Sequence, residues 1–142
     1  MTAYLDSSAA TKLFLDDEGN DFDLAVVVDT FGSVATSRLT FVETRAALAA
    51  ARRAGRLTAR THVEALAAFD RMWRTFFVVD LSVDVAQDAG FVAEAFALGA
   101  GDAVQLASLR ALRSISVPLV AWDRRLRDAA EATGYACYPM EI

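Results

Sequence analysis

The sequence predicts an α/β fold: a three-layer α/β/α sandwich about a central, mainly parallel sheet. Two observations carry this. Short apolar segments at 3–5, 33–37, 76–81, 118–122 and 135–138 are separated by helical stretches, and strands alternating with helices imply a parallel sheet covered on both faces. Four carboxylates, Asp6, Glu43, Asp102 and Asp123, fall where a strand should end or a helix begin, the places at which such a sheet gathers functional residues.

The first strand, 3–5, ends at Asp6, and SSAATKLFL follows as a helix with Ala9, Leu13 and Phe14 on one face and Ser7 or Ser8 as its N-cap. DFDLAVVVDTF at 21–31 fits a strand or a helix by periodicity. With SVATS next to it as a strand, helix is the better assignment. The Ala-rich 40–54 segment is helical and stops at Gly55. A second long helix, 58–75, offers Val63, Leu66, Ala67 and Phe69 or Trp73 as an apolar stripe. FFVVDL at 76–81 is aromatic and β-branched, as a buried strand should be.

A helix from 82 or 83 to 98 follows, broken by Gly99-Ala100-Gly101, and another opens at Asp102 and runs to 113. The 118–122 strand ends at Asp123, and the 124–133 helix closes at Gly134. The 135–138 segment is an edge strand ended by Pro139.

No repeat, low-complexity tract or linker divides the 142 residues, so 1–142 reads as one domain, large enough for a core without disulfides. Cys137 is the single cysteine, so no intramolecular bridge can form, and its expected role is a small apolar filler. No apolar run approaches the ~18 residues of a membrane span, and no basic leader precedes an apolar segment. A soluble cytoplasmic protein is expected. Hydrophobic residues make up 55%, a surplus that suggests apolar surface kept for a partner.

The net charge of −5 argues against nonspecific nucleic-acid affinity, yet carboxylates converging on one site would bind divalent cations and reverse the local field. Mg²⁺ takes oxygen ligands, one or two of them protein carboxylates, and such ions serve phosphodiester hydrolysis. One His and one Cys do not make a zinc site. Each acid also has a bland explanation: Asp6, Asp102 and Asp123 as helix caps, Glu43 as a first-turn acid favoured by the helix dipole.

Four blocks run in order along the chain: YLDSSAATKLF, Thr40-Phe41-Val42-Glu43-Thr44, LGAGDAVQLASL and VAWDRRLRDAA. Together they resemble the PIN domain family, and specifically its VapC-type toxin ribonucleases of bacterial toxin–antitoxin pairs. The resemblance implies hydrolysis of RNA at a site where Asp6 and Asp102 ligate Mg²⁺ or Mn²⁺. It implies Glu43 and Asp123 acting through water or on a second ion, and the Ser8 hydroxyl beside them. It also implies a homodimer and an antitoxin partner seated on apolar helices, here those carrying Leu13, Phe14, Phe22, Val26, Phe69 and Trp73.

Three positions depart from the family pattern: Gly99 for a common Arg, Gln105 for a common His and Ala121 for a common Thr. They leave a second reading, a catalytically weak PIN-like module that binds RNA or protein. Of the remaining residues, His62 is expected on a helix surface and Trp122 in the core, with base stacking as its alternative. Arg38, Arg45, Arg52, Arg53, Arg56 and Arg60 could track an RNA backbone or line solvated helix ends. Arg124, Arg125 and Arg127 are nearer a candidate acid.

Overall fold

The computed structural model describes residues 1–15 and 24–140. In chain order these form β1 (Thr2–Leu5), α1 (Ser7–Lys12), α2 (Leu24–Phe31), β2 (Ser33–Ser37), α3 (Arg38–Arg53) and α4 (Ala59–Trp73). There follow β3 (Phe77–Val79), α5 (Val83–Phe96), α6 (Ala100–Ala111), β4 (Leu119–Val120), α7 (Arg124–Ala132) and β5 (Cys137–Tyr138). The five strands are ordered β3-β2-β1-β4-β5 and every pairing is parallel, which is the predicted α/β sheet.

Strand alternation sorts the side chains into two cores, one on each face. Tyr4, Ala35, Leu119 and Ala121 face one side and pack with Val92, Leu106, Leu109 and Leu126 from α5, α6 and α7. Ala3, Leu5, Val34 and Val120 face the other, where Val27, Phe76 and Trp73 meet them. A smaller cluster of Leu15, Leu48 and Ala51 seals α3 against the start of α4.

Several expectations need correction. The α1 N-cap is Asp6, not Ser7 or Ser8: its extended backbone leaves Oδ1 to accept from Ala9 N at 2.9 Å. α6 opens at Ala100 with Gly99 as its cap, so Asp102 lies inside the first turn rather than at the cap. The 76–81 segment is no buried strand. It contributes only three residues at the sheet edge, where Phe76 turns inward and Phe77 remains 64% exposed.

On α4 the inner stripe holds Leu66, Phe69 and Trp73 as expected, while Val63 and Ala67, expected with them, face outward. The expected helix start at 21–23, including Phe22, lies outside the described residues. Of the apolar side chains expected to form a partner face, Val26 is exposed, whereas Phe69 is not. Phe69 is wholly buried and stacks with Phe14, Phe41 and Trp73 in an aromatic cluster.

Candidate active site

Each of the four acids is placed by a different part of the fold. Asp6 follows β1 directly, Asp123 caps α7 just past β4, Glu43 lies on α3 after β2, and Asp102 lies in the first turn of α6. Two of the bland readings are therefore true: Asp6 and Asp123 do cap helices, Asp123 through Oδ1 to Leu126 N at 2.9 Å. A cap bond engages one carboxylate oxygen and does not exclude a second role.

The acids sense one another. Asp6, 3% exposed, has its carboxyl pushed up to about 7, chiefly by burial, against hydrogen bonds from Ala9 N and Ser8 Oγ, with the charges of Asp102 and Glu43 adding to the rise. Asp102, half-buried, is raised by burial, then by Asp123 and Glu43. These influences link all four in one electrostatic group. Among the described residues, however, no three His, Cys, Asp or Glu side chains are drawn together as a closed metal cluster. The donor chemistry fits a hard divalent cation, for which one or two carboxylates plus waters suffice.

Hydroxyls surround the acids. Ser8 Oγ donates to Asp6 Oδ1 at 2.7 Å, the position expected for it beside the site. Ser7 Oγ donates to Glu43 Oε1 at 3.0 Å. Gln105 is 2% exposed and bonded throughout: Tyr4 O–H donates to its Oε1 at 2.6 Å, and its Nε2 lies 2.8 Å from Ser7 Oγ and 3.0 Å from Thr40 Oγ1. Ser7, Tyr4 and Thr40 were not legible as members of the site. The one available signal was spacing, since Gln105 stands one helical turn from Asp102 on the same face.

Arg127 is 5% exposed and donates to Ala121 O at 2.8 Å and Pro139 O at 2.6 Å, so it pins the fold and is not open to RNA. Arg124 and Arg125 are exposed. Arg38, Arg45 and Arg60 are engaged by Asp80, Asp70 and Glu64. His62 is half-buried rather than on the surface, with Nε2 buried and unbonded. Trp122 packs at the core margin with Lys12 Nζ 5.0 Å from its ring centroid. Cys137 is a buried filler, its thiol pushed up to about 11 by burial.

A five-stranded parallel sheet with acids gathered past its central strands defines a PIN-like α/β domain. The solved structures it resembles include VapC20 of Mycobacterium tuberculosis, described as a sarcin-ricin loop cleaving toxin (TM-score 0.67, 21% identity, 96% of this chain and 97% of that one). A toxin–antitoxin complex from Klebsiella pneumoniae also resembles it (TM-score 0.65, 20% identity, 99% of each). No family profile matches the chain. Ribonucleases VapC45 and VapC49, from the CDC 1551 and H37Rv strains of M. tuberculosis, are each 37% identical over 139 residues, 98% of this chain and 96% of theirs. The chain belongs to the VapC ribonuclease family.

Proposed function

We propose that the protein is a metal-dependent endoribonuclease, the toxin of a toxin–antitoxin pair, with Asp6 and Asp102 as direct ligands of Mg²⁺ or Mn²⁺ and Glu43 and Asp123 supporting them. The observation that carries this is the electrostatic coupling of four acids from separate segments at one end of the sheet. Such crowding is costly unless a cation offsets it. The ion, when bound, would supply Lewis-acid stabilisation of charge on the phosphodiester. The chain's own part is geometric. Ser8 and Ala9 N–H orient Asp6, Ser7 orients Glu43, and the α7 cap holds Asp123. An accessible single-stranded or loop RNA is the substrate class.

The test is cleavage of a structured RNA by purified, antitoxin-free protein with and without Mg²⁺ or Mn²⁺. Asp6→Asn and Asp102→Asn should each lower the rate by at least ~100-fold while the fold survives, since Asn retains the α1 cap. Full metal-dependent cleavage by both variants would sink the assignment.

A second reading, a binding module without turnover, is favoured by Gly99, which offers no side chain at the α6 cap where the family pattern has Arg. Binding of RNA by wild-type protein with no cleavage under any divalent ion would select it. For partners, the reading includes a cytoplasmic homodimer and an antitoxin. Exposed Val42, Val63 and Phe91 on α3, α4 and α5 supply apolar surface for such contacts. Size-exclusion chromatography alone and with the product of the neighbouring gene tests both.

A further inference from the structure

We propose that Gln105 is a positioning residue for Glu43, fixing the Ser7 hydroxyl as a donor that holds one Glu43 carboxylate oxygen in a set direction. The inference deepens the nuclease reading and rests on Glu43 belonging to the site.

The amide has a determined orientation. With Nε2 toward the site, an N–H lies 3.4 Å from Glu43 Oε1, and Tyr4 O–H donates to Oε1 from behind at 2.6 Å. The flipped amide would set two acceptor oxygens 3.4 Å apart, one of them on a carboxylate, which the network disfavours. The Tyr4 phenol keeps its proton at neutral pH and so serves as the donor. Nε2 then has two N–H groups, directed at the nearer hydroxyl acceptors, Ser7 Oγ at 2.8 Å and Thr40 Oγ1 at 3.0 Å, with Glu43 Oε1 a third and longer contact at 3.4 Å.

The Ser7 arm continues in one direction only. A hydroxyl that accepts from Gln105 has its proton left for Glu43 Oε1, 3.0 Å away. The Thr40 arm reaches Thr36 Oγ1 at 2.8 Å, and Thr36 is 2.6 Å from Leu5 O, the carbonyl just before Asp6. Thr36 Oγ1 donates to this carbonyl and lies against Thr40, so the two hydroxyls join Gln105 to the end of β1. One buried amide thus ties the β1 end, where Asp6 begins, to the carboxylate of Glu43 on α3, and it does so from α6, which also carries Asp102. No apolar residue of equal size does this. Neutral histidine can, accepting from Tyr4 at one nitrogen and donating to Ser7 from the other.

The experiment compares wild type, Gln105→Met, Gln105→His, Ser7→Ala and the Gln105→Met/Ser7→Ala double variant in the full chain. Three quantities are read: Mn²⁺ affinity by calorimetry, kcat and KM for RNA cleavage in saturating Mn²⁺, and the melting temperature. Outer residues that orient a metal-binding group typically alter affinity or rate by 10–100-fold. Gln105→Met should therefore weaken Mn²⁺ binding and lower kcat by about tenfold each, leave KM for RNA unchanged, and be rescued by Gln105→His to near wild type. Ser7→Ala should show a similar loss, and the double variant should be no worse than either single, because both act along one path.

Wild-type Mn²⁺ affinity and kcat in folded Gln105→Met, or losses in the double variant that multiply, overturn the inference. If wild type binds Mn²⁺ but cleaves no RNA, the nuclease reading fails while the Mn²⁺ affinities still decide the role of Gln105. If wild type binds no Mn²⁺, the metal site and this inference fall together.

Discussion

Asp6 caps α1 and is buried near other acids, and the two circumstances pull its protonation in opposite directions. The cap bond from Ala9 N and the Ser8 hydroxyl favour the carboxylate, but burial against neighbouring acids outweighs them, and the group titrates at about 7. The sign for stability follows. In the unfolded chain Asp6 ionises near the ordinary aspartate value of 3.8, so between 3.8 and about 7 the folded state holds a proton that the unfolded state has released. The Asp6 contribution to stability is therefore greatest below the unfolded value and falls as pH rises through about 7. In protein stripped of divalent ions, Asp6→Asn, which caps the helix but never ionises, should gain on wild type as pH rises. The melting-temperature difference between the two should widen in favour of Asn from about pH 5 to about pH 8. A constant or reversed difference would show that Asp6 is ionised at no cost in the fold.

At the scale of elements, α7 is held twice at its start: Asp123 caps it and Arg127 ties its first turn to the chain past β4 and β5. Arg127→Met would leave the carbonyls of Ala121 and Pro139 without their donor and should cost about 2–4 kcal/mol in urea unfolding. Arg125→Ala, at an exposed position on the same helix, should fall within about 0.5 kcal/mol of wild type. A small loss for Arg127→Met would return that arginine to the list of RNA contacts. From sequence the two were indistinguishable, because their difference is tertiary.

The same limit explains what else was and was not legible. Helix bounds were readable where side chains cap or glycine adopts positive φ, as at Ser82, Asp123, Gly55 and Gly134. The α6 start was not. Gly99-Ala100-Gly101 reads as a break, whereas α6 starts at Ala100 with Gly99 as its cap and Gly101 inside its first turn, facing Glu43. The four acids were found by their places at strand ends and in early helical turns, but the Gln105 network was not, since its members come from β1, β2, α1, α3 and α6 and meet only in the folded chain.

For the whole molecule, sheet order decides where such a site can form. From β1 the chain moves outward through β2 to β3, then returns to the other side of β1 for β4 and β5. The reversal leaves a crevice at the carboxyl ends of β1 and β4, the switch point where open α/β sheets bind ligands. Asp6 and Asp123 follow these two strands, and α3 and α6 carry Glu43 and Asp102. An ion there would join segments from positions 6 to 123 and so stabilise the entire fold, not one loop. Binding only to the folded state adds about 2.7 kcal/mol at a ligand concentration of a hundred times Kd, which for a chain of this length raises the melting temperature by roughly 5–10 °C. Mg²⁺ or Mn²⁺ titration should thus raise the wild-type midpoint by that amount near pH 8, where Asp6 is ionised, and by much less near pH 5, where a proton competes. Asp102→Asn should abolish most of the shift while retaining the midpoint of the ion-free protein or exceeding it. An ion-independent midpoint for wild type at both pH values would refute the metal site, whatever the cleavage assay returned.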